Sequence, residues 1–240
     1  MIKIKNLPTT PPRGVDKKSL EKETKKAAKK IGELHQQLIA QNDRNVLIVL
    51  QGMDASGKDG AVKKVFRYCT HNNFSTHSFK KPTDLEFAHD FLWRVHQQVP
   101  AKGEIKIFNR SHYEDVLIQR VHGWIDEERV NTRFEAINAF EKLLVADNNT
   151  IILKFFLNIS YEQQKIELQQ RIDDPEKNYK HNDGDWEERK LWSKYMSAYE
   201  DVLNRSEIPW HVIPVDKRWY RDYLMSKIIV EKIHEFSLSR

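Results

Sequence analysis

NVLIVLQGMDASGKDG, residues 45–60, places a short apolar run directly before a loop of the form G-x-x-x-x-G-K, and the residues after it have helical composition. A strand running through such a loop into a helix is the context a phosphate cradle requires. Glycines let backbone N–H groups turn toward an anion, and the helix N-terminus adds positive potential. On this reading Gly52, Ala55, Ser56, Gly57 and Gly60 contact phosphate, and Lys58 neutralises charge that shifts during phosphoryl transfer. The bland alternative is an incidental glycine turn. Position 59 is Asp, where the motif has a metal-binding Ser or Thr, and Asp54 puts a second acid inside the loop. Both are expected to hold Mg²⁺, which prefers oxygen ligands; for Asp59 the competing role is stabilising the N-terminus of the following helix.

Outward from the loop, apolar runs alternate with helical stretches. Strands are expected at Asn45–Gln51, Phe74–Phe79, Glu104–Phe108, Thr150–Leu157 and Trp210–Val215. Helices are expected at Asp16–Gln41, Gly57–Thr70, Asp84–Gln98, Arg110–Val121, Asp126–Ala146, Tyr161–Ile172, Trp186–Asn204 and Arg218–Phe236. Mostly apolar strands alternating with helices indicate an α/β fold, a three-layer α/β/α sandwich on a five-stranded parallel sheet. Gly and Pro, 8 each, are too few for long linkers. One domain over 1–240 is therefore expected, with an N-terminal arm and helix at 1–41 and a lid at 171–190.

A second motif, Asn109-Arg110-Ser111-His112-Tyr113-Glu114-Asp115, follows the strand at 104–108, and ligands of open α/β sheets bind at strand C-terminal ends. Phosphate-loop proteins usually end this strand in Asp; Asn109 supplies no charge. Arg110 is placed to clamp a phosphoryl oxygen with a planar, doubly donating guanidinium, although its i+4 spacing also permits a surface pair with Glu114. Arg171 and Lys177 lie in a polar, proline-punctuated segment that reads as a lid or as a charged surface loop. Lys63, Lys64, Arg67, Lys80 and Lys81 extend positive charge away from the cradle, as a long polyanion would exploit; solvated helix faces are the alternative.

The net charge is +5 on 240 residues, compatible with an anionic partner or with a mildly basic surface. The single cysteine, Cys69, excludes a disulfide framework and multi-cysteine metal sites. No apolar run is long enough to span a bilayer, and Met1–Thr10 has no apolar core, so the expectation is a cytoplasmic protein without a secretory signal or membrane partner. A nucleic-acid-binding domain would leave the phosphate loop unexplained and lacks zinc-finger spacing; a GTPase-type switch lacks the Asn-Lys-x-Asp string.

Four segments, GMDASGKDG (52–60), the stretch 79–94 with its His-Asp-Phe-Leu-Trp-Arg, NRSHYEDVL (109–117) and RIDDPEKNYK (171–180), resemble the family-2 polyphosphate kinases, in the same order, from about residue 15 to 225. The resemblance implies a P-loop kinase fold similar to thymidylate kinase. It implies Mg²⁺-dependent, reversible transfer of a terminal phosphoryl group between inorganic polyphosphate and adenine or guanine nucleotides, by a homo-oligomer (dimer or tetramer) that takes no nucleic acid. Carried onto this chain, Lys58, Arg110, Arg171 and Asp54 are the catalytic group, and Asn109, Tyr113 and Lys177 join the substrate contacts. Glu114 or Asp115 would replace the metal ligand that relatives place at position 109. Asp59 and the 89–94 string resemble the subgroup (class III) that phosphorylates both AMP and ADP. An ATP-dependent nucleotide kinase of the same fold is the alternative.

Overall fold

The computed structural model describes residues 1–238; positions 239 and 240 of the expected 1–240 span lie outside the described residues. The N-terminal arm includes a 3₁₀ turn at Ile4–Asn6 and leads into α1 (Lys17–Gln41), whose first turn is capped by the Asp16 carboxylate accepting from Lys18 N and Ser19 N. Then come β1 (Asn45–Gln51), α2 (Lys58–Val65), β2 (Phe74–Ser78), α3 (Asp84–Phe87), α4 (Trp93–His96) and β3 (Ile105–Asn109). A 3₁₀ turn at His112–Val116 precedes α5 (Ile118–Val121), α6 (Glu127–Asn148), β4 (Thr150–Asn158) and α7 (Tyr161–Asp173). The chain continues through a 3₁₀ turn at Asn178–Lys180, α8 (Asp183–Lys190), α9 (Trp192–Arg205), β5 (Trp210–Pro214) and α10 (Arg218–Leu238).

The five strands form one parallel sheet in the order β2-β3-β1-β4-β5. Residues of β1 and β4 are buried throughout, which is why their sequences run apolar without alternation, whereas edge strand β2 is half exposed and polar. Chain order reverses on either side of β1, with β3 on one flank and β4 on the other. Such a reversal opens a crevice at the strand's C-terminal end, and the residues after Gln51 lie there.

Four expected helices are shorter or broken, each for a local reason. The Asp90 carboxylate accepts from Leu92 N at 2.9 Å, a turn that splits 84–98 into α3 and α4. Arg110 has φ +60°, outside the helical region, and the Ser111 side chain accepts from Tyr113 N, so 110–121 becomes a 3₁₀ turn and then α5. α2 ends at Val65 rather than Thr70. Asn182 caps α8 by accepting from Gly184 N at 3.0 Å, and the chain breaks at Leu191 before α9.

Candidate active site

The loop from Gly52 to Gly57 has its carbonyls bonded by side chains, one after another. Lys58 Nζ donates to the carbonyls of Gly52 (2.8 Å) and Met53 (3.2 Å). Gln164 Nε2 donates to Asp54 O at 3.1 Å, and Arg218 Nη2 to Ala55 O at 2.6 Å. Arg218 Nη1 holds Ser56 O, and Arg221 Nη1 donates to Gly57 O at 2.8 Å. In a trans peptide the N–H points opposite to the C=O. The N–H groups of Ala55, Gly57 and Lys58 are thereby directed away from these side chains, while the carbonyl oxygens that would repel an anion are already bonded by donors.

Two loop positions carry the geometric demand. Gly57 has φ +87°, and a Cβ there would stand 2.3 Å from both the Arg218 and Arg221 guanidinium groups. Ala55, which is not glycine, is held at φ +63°. Left-handed backbone in a non-glycine residue persists only where the surroundings impose it, and here the carbonyls on both sides of Ala55 are bonded by Gln164 and Arg218.

The crevice is a cavity of about 550 Å³ lined by Asp54, Ala55, Gly57, Lys58, Asp59, Gly60, Asn109, Arg110, Glu167, Arg171, Lys177, Tyr179, Lys180, Arg218 and Arg221. Seven of these are lysine or arginine and three are acids, a balance suited to a multiply charged anion. Arg110, also at left-handed φ, bridges Asp54 through Nη2 and Glu114 through Nη1 at 3.1 Å. Glu114, opposing burial, keeps this guanidinium firmly charged. Burial alone would raise the Asp54 carboxyl, but Arg110, Lys58 and Arg171 outweigh it and hold the group below its usual range, so Asp54 is ionised. Burial, reinforced by the Arg110 charge, pulls the Lys58 ammonium down to about 8. From the lid side, Arg171 donates to Asp185 at 2.6 Å and Lys180 approaches Asp59 at 3.9 Å. Asp59 itself accepts from Asn109 Nδ2 at 2.6 Å.

The structure therefore gathers Lys58, Asp54, Arg110, Arg171, Lys177, Asn109, Asp59, Ala55, Gly57 and Gly60, whereas Gly52 and Ser56 are buried and do not line the cavity. Lys64 and Arg67 line a second groove of about 560 Å³ with Lys17, Lys25, Trp219, Glu21 and Asp222, and Arg218 lines both it and the first cavity. Lys63, Lys80 and Lys81 are exposed and line neither cavity.

Two expectations are corrected. Tyr113 is not a substrate contact: it is wholly buried, its hydroxyl donating to Glu141 (2.9 Å) and accepting from Lys154 (2.6 Å). The 3₁₀ turn after Arg110 sends it into the core beneath β4. Asp115 is not at the metal position either: it is 3% exposed and faces Arg94 (3.7 Å) and Arg133 (3.9 Å), outside the cavity lining. Glu114 serves as the partner of Arg110, while its Oε1 is buried without a hydrogen-bond partner.

Burial pushes the Asp115 carboxyl up to about 6, against the pull of Arg94 and Arg133. Its folded-state affinity for a proton exceeds the unfolded one, so its neutral form favours the fold below the unfolded value near 4, and that contribution is lost as pH rises through about 6. Asp115→Asn should match wild type in stability near pH 4 and exceed it by up to about 3 kcal/mol at pH 8. Thermal melts across that range are the check, and a difference independent of pH would contradict it.

The residues fit a magnesium ion in donor chemistry. Asp54 and Asp59 present carboxylate oxygens to the cavity, and no group of three or more metal-binding side chains exists among the described residues. Mg²⁺ is commonly held by one or two carboxylates plus substrate phosphates rather than by an all-protein cage.

Sequence reasoning missed Arg218, Arg221, Glu167, Tyr179, Lys180 and Gln164. The available signal was position: Arg218 lies just past the C-terminal end of β5, the same kind of strand end that identified the residues after β1 and β3.

Known proteins resemble this chain in sequence and in fold. The family model described as Polyphosphate kinase 2 (PPK2) matches residues 14–239. A Meiothermus ruber AMP/ADP-polyphosphate phosphotransferase is 46% identical over 213 residues, 88% of this chain and 79% of the relative. A Rhodopseudomonas palustris ADP-polyphosphate phosphotransferase is 37% identical, covering 88% of this chain and 78% of its own length. The crystal structure of polyphosphate kinase 2 from Arthrobacter aurescens TC1 superposes with a TM-score of 0.87 at 36% identity, over 99% of this chain and 91% of that one. The parallel sheet, the phosphate loop and this likeness together make the fold that of a P-loop kinase.

Proposed function

Because the chain belongs to the polyphosphate kinase 2 family, we propose that it transfers the terminal phosphoryl group of inorganic polyphosphate reversibly to a nucleotide, AMP to ADP and ADP to ATP. The observation that carries the choice of donor is the cationic lining of the crevice together with the groove of Lys17, Lys25, Lys64 and Arg67, which shares Arg218 with it. A compact mononucleotide needs no such groove.

The reaction is an in-line attack by a nucleotide phosphate oxygen on the terminal phosphorus of polyphosphate, the bridging P–O bond breaking as the new one forms and a polyphosphate one unit shorter leaving. That oxygen is already anionic, so no strong general base is needed, and positioning with charge neutralisation lowers the barrier. Lys58 exchanges the Gly52 and Met53 carbonyls for phosphate oxygens. Arg110, oriented by Asp54 and Glu114, presents its guanidinium to the phosphoryl group in flight. Arg171 comes in from the lid, and the N–H groups of Ala55, Gly57 and Lys58 hold the donor end. Magnesium, with Asp54 and Asp59 as its protein ligands, would supply further neutralisation of phosphate charge. We place Lys177 and Asn109 among the substrate contacts and Lys64 and Arg67 on the path of the chain's tail.

No helix among the described residues is long and apolar enough to cross a membrane. The proposal extends to one catalytic domain with a lid at 171–190, to guanine nucleotides as further acceptors, to a homo-oligomer, and to the cytoplasm as site of action. Its test is nucleotide turnover with long-chain polyphosphate, started separately from AMP and from ADP, with and without Mg²⁺. Products ADP and ATP respectively, abolished by chelation, are expected. Turnover of neither nucleotide, or turnover indifferent to Mg²⁺, contradicts the proposal.

A further inference from the structure

α8 is docked by polar groups rather than by an apolar face: its two buried side chains are Asp185 and Arg189. Few buried apolar contacts mark a segment that opens at low cost. Asp185 holds Arg171. One turn on, Arg189 lies over the Tyr161 ring, 3.4 Å from its centre, and donates through Nη1 to the Tyr161 carbonyl (2.7 Å) and to Gln164 Oε1 (2.8 Å). Glu188 between them pairs with His122 and accepts from Tyr195. Gln164, on α7, is completely buried, and its Nε2 donates to Asp54 O. A guanidinium can only donate and a carbonyl can only accept, so the two partners fix the orientation of this amide.

The bonded carbonyl belongs to the peptide between Asp54 and Ala55, the start of the left-handed residue at φ +63°. Arg218, on α10, holds the next two carbonyls. One strained unit is therefore clamped between α10, which continues directly from the sheet, and α8, which has little packing of its own. We propose that Gln164 is a positioning residue that couples the lid to the phosphate loop. Docking α8 aims Arg171 through Asp185. Through Arg189 and Gln164 the same docking sets the Asp54–Ala55 peptide, so that the Ala55 N–H and the Asp54 carboxylate face phosphate only when the lid is in place. The loop thus reaches its anion-binding shape together with the closing arginine.

The kinetic half of the test rests on the proposed reaction; the hydrogen-exchange half does not. Amide exchange of the loop is followed at Ser56, whose N–H donates to the Met53 carbonyl at 3.2 Å, in the full chain without substrate, for wild type, Arg189→Met, Gln164→Met and the double variant. Arg189 bonds no loop atom, yet Arg189→Met is expected to speed loop exchange about tenfold, and the double variant to go no further than the larger single change, as for two links of one chain. Gln164→Glu keeps an acceptor for Arg189 and loses the donor to Asp54 O. It should speed exchange in the loop while leaving α8 as protected as in wild type, and it decides the matter if a methionine variant fails to fold. In turnover with polyphosphate and ADP, kcat is expected to fall about tenfold in each single variant and no further in the double, with the KM for ADP within about twofold. Loop exchange unchanged by Arg189→Met, or losses that multiply in the double variant, would overturn the coupling. A wild-type chain silent with polyphosphate would sink the proposed function while the exchange data still judge the relay.

Discussion

Lys58→Met is expected to lower kcat/KM for polyphosphate-driven nucleotide phosphorylation by about 10³-fold or more while leaving the fold intact. The Lys58 side chain is 9% exposed, and methionine retains the buried stem while removing the charge. Its ammonium already rests 2.8 Å from the Gly52 carbonyl, so phosphate entry trades one set of oxygens for another with little rearrangement. Preorganised charge of this kind is worth most in a site sheltered from water. The loop keeps its shape in the variant because the Asp54, Ala55, Ser56 and Gly57 carbonyls are held by Gln164, Arg218 and Arg221. A variant retaining a third of wild-type activity would remove Lys58 from the chemistry.

Gly57→Ala is the second large effect expected, a loss of about 10²-fold in kcat/KM or more from a single methyl group. The added carbon meets two obstacles. At φ +87° an L-residue is strained, and its Cβ would overlap the Arg218 and Arg221 guanidinium groups that hold the loop carbonyls. Either both arginines leave the loop carbonyls they hold or the loop gives up its left-handed turn, and each outcome loosens the cradle. Gly60→Ala is the control: its Cβ would stand 3.5 Å from Arg221, an ordinary contact, and activity within about threefold of wild type is expected there. Steady-state kinetics on the two variants makes the check; equal losses at 57 and 60 would show that the loop tolerates both and that the clasp of arginines is irrelevant.

How far the molecule was legible in the sequence follows from the range of the interactions involved. β1 is found where its apolar run stops, because a strand buried on both faces leaves no polar alternation to confuse its ends. The loop was legible for a different reason: backbone N–H groups can cradle phosphate only with glycines at set spacings, so the chemistry writes itself into a short local string. Helix ends were less legible at 84–98 and 110–121, where single side chains, Asp90 and Ser111, capture backbone N–H groups that a helix would have used. Tyr113 and Asp115 were misplaced because nearness in sequence to Arg110 does not carry over to direction. A 3₁₀ turn carries them to opposite surroundings, one against Lys154 and the other against Arg94 and Arg133. Arg218, Arg221 and Gln164 belong to no motif. They act on the loop from more than a hundred residues away, and what marks them is the carbonyls they hold, which only the folded chain brings within reach.

Lys154 of β4 and Glu141 of α6 form a buried pair between sheet and helix, which bears on how strand patterns are read. Lys154 interrupts an otherwise apolar run in β4, yet it is fully buried, with its ammonium 2.6 Å from Glu141. A buried charge is tolerated where it is paired and hydrogen-bonded, so a lysine in a strand does not by itself report an exposed face.

The most direct measurement is the donor comparison: ADP is supplied with either long-chain polyphosphate or a second nucleoside triphosphate, GTP, and ATP formation is followed for the wild-type chain and Lys58→Met. ATP made from polyphosphate by the wild type, with GTP a poor donor and both reactions lost in the variant, is the result this account expects. Efficient transfer from GTP with none from polyphosphate would contradict it, and would make the groove that shares Arg218 with the crevice a surface with no part in the reaction.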